Sequence, residues 1–177
     1  MHGPVTLRQG LRALDAMPWL RPDLARVIAW GLAAGFGLIA LMWLLLSEGG
    51  VRPTGVPFAA DFTAFWTAAR EALAGRPAAA YDAAVLHRAQ IAAFGGVDHG
   101  FLAFHYPPTF LLACLPFGLP PRLEAAVIFL GLTGVAYGLA IRPLLPRGAT
   151  AAALFAFPAV LVCVDYGQNG LMSAALL

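Results

Sequence analysis

Uncharged apolar runs alternate with shorter polar stretches along the chain. The first run, Val27–Leu46, carries no charge and has the length, roughly 20 residues, that a helix needs to cross a hydrocarbon core of about 30 Å. A signal-peptide core is shorter, about 7–15 residues, and ends at a small-x-small site. Here the run ends at Ser47-Glu48-Gly49-Gly50 instead, as an uncleaved anchor would. Leu123–Ile141 is a second clean span. Two further runs are interrupted by proline: Phe101–Leu119 by Pro107, Pro108 and Pro116, and Ala149–Val164 by Pro158. A last helix starts at Leu171 and is cut off at Leu177, so the chain reads as the front part of a larger protein.

Residues 47–105 form the long polar interval, and it is not a tether. Phe62, Phe65, Trp66, Ala69 and Leu73 recur at helical spacing, with Thr63, Thr67, Arg70 and Glu71 elsewhere on the wheel. Gly75-Arg76-Pro77 stops that helix. Asp82 is placed to cap a second one over about 83–94, ended by Gly95-Gly96. Short amphipathic helices of this kind are expected to lie on the bilayer surface. The fold class is therefore all-α: a polytopic membrane bundle with a lead-in over 1–26, a membrane domain over 27–177, and a first outer loop over 47–105 carrying surface helices.

Composition supports this class. The chain is 60% hydrophobic and 11% charged, against roughly 25% charged in soluble domains. A net charge of +2 excludes an electrostatic case for nucleic acid. Cys114 and Cys163 lie inside apolar runs without metal-ligand spacing and read as small core residues. Arg8, Arg12, Arg21 and Arg26 precede the first span, against Arg52 just beyond it. That bias puts the N-terminus in the cytoplasm and the protein in the inner (plasma) membrane as a multi-pass chain. Leu7, Leu11 and Leu14 share a face along which the lead-in can lie on the membrane. After the loop two arrangements are open. If 107–119 crosses, Arg142 and Arg147 are outside. If it dips in and returns, they are cytoplasmic and the Gln168 segment is outside. The arginine bias favours the second, which needs a re-entrant element buried by protein.

Against this frame few residues can carry chemistry. Asp61 opens the run Asp61-Phe62-Thr63-Ala64-Phe65-Trp66. It suits a helix N-cap and equally a catalytic base, and the roles are compatible. His105-Tyr106-Pro107-Pro108 sits where the chain re-enters the apolar phase. It serves as an interfacial anchor and helix start, or as donors to a phosphate or sugar hydroxyl. Gln168 and Asn169, between Gly167 and Gly170, offer amides for sugar hydroxyls or for backbone at a helix break. Arg52 and Arg70 are phosphate partners by type. His87 and His99 lack a partner at metal-ligand spacing. The apolar runs hold essentially no ionisable residues, Glu124 lying at an edge, which lowers a transporter reading.

These landmarks together resemble a family. After the first span come Asp61-Phe62, Phe65-Trp66, Ala68-Ala69, Gly75-x-Pro77 and Tyr81-Asp82. Tyr106-Pro107-Pro108 and Gly167-Gln168-x-Gly170 follow, so the likeness runs over about 27–177. The pattern is similar to glycosyltransferase family 87, polytopic enzymes of the GT-C class that include polyprenol-phosphate-mannose-dependent mannosyltransferases. The resemblance implies a lipid-linked sugar donor on polyprenyl phosphate, a glycolipid or glycan acceptor on the outer face, inversion at the anomeric carbon, and Asp61 as general base. The candidate substrate contacts beside it are His105, Tyr106, Gln168, Asn169, Arg52 and Arg70. No cofactor is expected, and no metal, since position 63 is Thr and a DxD pair is missing. A lipid-carrier transporter or flippase, or a non-catalytic membrane assembly subunit, are the competing readings.

Overall fold

The structure, a computed structural model, describes residues 22–144 and 157–177. The lead-in face of Leu7, Leu11 and Leu14, the turn through Arg147, and the apolar run as far as residue 156 lie outside the described residues. Among the described residues the chain is helical. Its extended pairing is limited to isolated bridges from Val51 to Glu48 and Pro57.

Two helices have the length and apolarity to cross a membrane. Helix α1 spans Pro22–Leu46 and α5 spans Arg122–Ile141, close to the apolar runs read from sequence. The 25 residues of α1 rise about 38 Å. Val27, Ile28, Leu38 and Leu45 are exposed on it, as are Val127, Leu132, Val135 and Leu139 on α5. Between them lie α2 (Ala60–Leu73), a 3-10 turn (Pro77–Tyr81), α3 (Ala83–Ala93) and α4 (Pro108–Cys114), which runs on as a 3-10 turn to Gly118. Helices α6 (Pro158–Tyr166) and α7 (Gly170–Leu176) close the order, α7 lying along α5.

The expectation of a surface helix at 60–73 is corrected. Every residue from Phe62 to Ala69 is buried, Thr63 and Thr67 included. Thr67 satisfies its hydroxyl within the helix by donating to the Thr63 carbonyl at 2.7 Å. Helix α2 is instead the axis of the core. Phe62 and Phe65 pack against Phe104, Phe110, Phe117 and Phe129, with several edge-to-face contacts at 5–6.5 Å. The threonines looked polar to a hydrophobicity pattern, but Thr67 is satisfied inside its helix and Thr63 Oγ1 faces Arg122 Nη1 at 3.5 Å. Helix α3 keeps its expected amphipathic form, with Leu86 and Gln90 buried. Asp82 caps it by accepting from the N–H groups of Ala84 and Val85 at 2.9 and 3.0 Å.

The connections fix which ends meet. A Cβ on Gly50, just past α1, would lie 3.0 Å from Leu123 at the start of α5. The end of the first long helix and the start of the second are therefore neighbours. The seven residues of α4 rise only about 10 Å, and Phe110, Leu111 and Cys114 bury into the core. A helix this short does not reach across a hydrocarbon core of about 30 Å.

Candidate functional site

Helix α2 does not start as expected. Its N-cap position is Ala59, with no side-chain cap bond, and Asp61 is the second helical residue. Ala59 is in the left-handed region at φ 50°, ψ 50°, a conformation costing an L-residue roughly 1–2 kcal/mol. The fold holds it there: the Ala59 N–H donates to the Asp165 carbonyl at 3.3 Å, and the residue is wholly buried. Asp61 is thereby relieved of capping, and its side chain is half-buried and turned to a distant part of the chain.

That part is the α6–α7 turn. Gly167 ends α6 at φ 71°, and a Cβ on it would stand 2.7 Å from Phe62 Cβ and 2.8 Å from Ala59 Cβ. Only glycine lets this turn lie directly on the start of α2. The contact brings Gln168 to Asp61, its Nε2 donating to Oδ2 at 2.7 Å. Among the described residues Oδ1 has no hydrogen-bond partner, so one carboxylate oxygen is held and the other is free. Tyr106 closes the group by donating its hydroxyl to Asn169 Oδ1 at 3.4 Å. Its ring packs against the core, edge-to-face on Phe65 and tilted on Phe110, with centroids at 5.1 and 4.6 Å. Burial first, and then the charge of Asp61, push the Tyr106 phenol above its ordinary value, which keeps it a neutral donor at physiological pH.

Arg52 clamps the turn from the other side. Its Nη1 donates to Asp165 Oδ2 at 3.1 Å, and its Nη2 reaches Oδ1 and, at 3.0 Å, the Asp165 carbonyl. The guanidinium lies 5.5 Å from the Trp43 ring centre. Arg52 is thus brought near the site as a tie between loop and turn, with its charge answered by Asp165.

Two expected contacts fall elsewhere. Arg70 is nine residues beyond Asp61 on one helix, about 13 Å further along and on the opposite face. It is exposed and packs over Trp66 at 4.9 Å. His105 precedes Tyr106 in the irregular stretch before α4 and shares none of the hydrogen bonds of the Asp61 group. It is exposed and lines a hollow with Tyr81 and Phe101. The structure therefore gathers Asp61, Tyr106, Gln168, Asn169 and Arg52, and leaves Arg70 and His105 apart. Among the described residues no set of three His, Cys, Asp or Glu side chains could hold a metal ion.

Sequence reasoning missed Arg122. It is buried at the first turn of α5 and donates from Nη1 to the Phe58 carbonyl at 2.9 Å, with Thr63 Oγ1 at 3.5 Å. An arginine at the edge of an apolar run looks like an ordinary interfacial charge. Nothing in its position along the chain shows that it turns inward.

Fold and site together define an all-helical protein with two membrane-length helices and a carboxylate–amide group assembled at the end where they meet. The family model of glycosyltransferase family 87 matches residues 104–177, bearing out over that segment the resemblance drawn from the motifs. The match indicates a glycosyltransferase. It includes Tyr106, Gln168 and Asn169; Asp61 lies ahead of it in the chain but touches it in space. No curated protein and no solved structure matches the chain.

Proposed function

We propose that this protein is an inverting membrane glycosyltransferase in which Asp61 is the general base. The donor is a polyprenyl-phosphate sugar, mannose or another hexose, and the acceptor is a hydroxyl of a glycolipid or glycan on the outer face. The observation that carries this reading is the carboxylate of Asp61, half-held by Gln168 on a turn that belongs to the segment matching the family.

The chemistry fits one carboxylate. A glycoside hydrolase needs a second carboxyl to protonate a poor leaving group, whereas a lipid phosphate leaves as a stable anion without protonation. The acceptor oxygen attacks the anomeric carbon opposite the phosphate. The carbon–phosphate oxygen bond breaks, and the hydroxyl proton passes to Asp61 Oδ1. Gln168 holds Oδ2 and so fixes where Oδ1 points. Asn169 and the Tyr106 hydroxyl supply neutral hydrogen-bonding groups for sugar hydroxyls beside it. The step as written uses no metal ion. Asp61 faces outward in this reading, the N-terminus is cytoplasmic, and the chain passes the inner membrane more than once.

The test is glycosyl transfer by membranes carrying the full-length protein, wild type against Asp61→Asn at matched levels. Polyprenyl-phosphate mannose and other lipid-phosphate sugars serve as donors. Asp61→Asn is expected to lose about 10²-fold or more of the transfer rate. Equal rates would sink the base assignment. Lipid movement across the bilayer without transfer would favour a flippase.

A further inference from the structure

A cavity of about 930 Å³ opens where the end of α1 meets the start of α5, apart from the Asp61 group. Leu46 and Leu123 give it an apolar wall, and both belong to the ends of the membrane-length helices. Arg122 and Arg52 line it, each only 8% exposed. Arg122 has no carboxylate within ion-pair distance among the described residues. A charge so far out of water without a counter-charge is costly, several kcal/mol in general. Arg52 is answered by Asp165, yet its Nε is buried with no hydrogen-bond partner. Two further charges line the same cavity, Glu48 and Glu124, and both are exposed. Gly50, at φ 79°, keeps the turn clear of Arg122: a Cβ there would lie 3.1 Å from Nη2.

We propose that this cavity binds the headgroup of a zwitterionic phospholipid with a primary ammonium, a phosphoethanolamine lipid. The inference goes beyond the transferase reading and does not depend on it. The buried Arg122 lacks an anion and Arg52 has a spare N–H, so the phosphate sits on the arginines. The remaining fixed charges, Glu48 and Glu124, are carboxylates nearer water. An ammonium with three N–H donors matches them. A choline headgroup cannot donate to the carboxylates, and a glycerol headgroup brings no positive charge to them. The apolar wall continues into the exposed apolar faces of α1 and α5, which gives the acyl chains a path into the bilayer.

The experiment is native mass spectrometry of the full-length protein released from mixed micelles holding equal phosphatidylethanolamine, phosphatidylcholine and phosphatidylglycerol. The ethanolamine lipid is expected to be retained about fivefold or more over either of the others. Arg122→Gln is expected to lower retention of all three lipids. Because Arg122 is buried and that variant can misfold, Glu48→Gln combined with Glu124→Gln provides a surface pair of changes. It is expected to abolish the preference for ethanolamine over choline while phosphate-dependent retention persists. Equal retention of the three lipids by the wild type would overturn the proposal, as would an unchanged preference in the double variant. Soluble phosphoethanolamine binding as tightly as the lipid would overturn the membrane as its source.

Discussion

A carboxylate with one oxygen occupied and one open is poised differently from a free side chain, and Gln168 makes that difference at Asp61. Gln168→Leu keeps the volume and removes the donor. A hydrogen bond to a charged group contributes roughly 1.5–3 kcal/mol, so kcat in the transfer assay is expected to drop about 10–100-fold with KM little changed. A rise in KM at constant kcat would instead make Gln168 a substrate contact. Asp61, Tyr106, Gln168 and Asn169 were legible as candidates because each is a polar residue beside apolar runs. Their mutual contact was not, since 107 positions separate Asp61 from Gln168. Arg70 and His105 had the right chemistry, but helix phase turns Arg70 away and His105 stays exposed outside the hydrogen-bonded group. Arg122 was overlooked because burial, which singles it out, belongs to the fold.

Among the elements, α2 and the turn against it bear the strictest fit. Gly167→Ala would add a methyl group 2.7 Å from Phe62 Cβ at a positive φ. Left-handed strain of about 1–2 kcal/mol and overpacking of about 1–3 kcal/mol together lower stability by roughly 2–5 kcal/mol. Thermal unfolding in detergent should show a loss of several degrees, and an unchanged midpoint would mean the turn does not rest on α2. The loop after α3 is looser and responds to pH. The His87 side chain and then the Gly100 N–H hold the Asp98 carboxyl below its usual range. A depressed folded value stabilises above the unfolded pKa, near 3.9, and that contribution fades as pH falls through the lower folded value. The protection of the Gly100 amide, its exchange relative to the free-chain rate at the same pH, should fall below about pH 4 in the wild type, and should already be low at neutral pH in Asp98→Asn. The two long helices, the Asp82 cap and the glycine stops were readable from sequence, being local in origin. The burial of α2 was not, because its partners come from six other elements spread along the chain.

For the molecule as a whole, the decisive relation is that residues 47–121 and the 165–170 turn share one end of the long helices. Single cysteines replacing Thr54 and Leu144, both exposed, in a background lacking Cys114 and Cys163, should react with an impermeant reagent from opposite sides of the membrane. Labelling from the same side would refute the returning path of 107–119. The long-range tie can be weighed directly by a double-mutant cycle on Arg52 and Asp165. Breaking a buried pair costs about 3–5 kcal/mol. Asp165 is 39% exposed, so solvent screening reduces the expected coupling to about 1–2 kcal/mol.

The separation of 107 positions between Asp61 and Gln168 also sets a schedule. At about 5–20 residues per second, a ribosome that has placed Asp61 needs on the order of 5–20 s more to deliver Gln168 and its turn. During that interval the first span and its loop have emerged with the carboxylate unguided. On the proposed mechanism the nascent chain is thus inert towards sugar donors until its later helices arrive, and a stalled translation product would turn over no substrate.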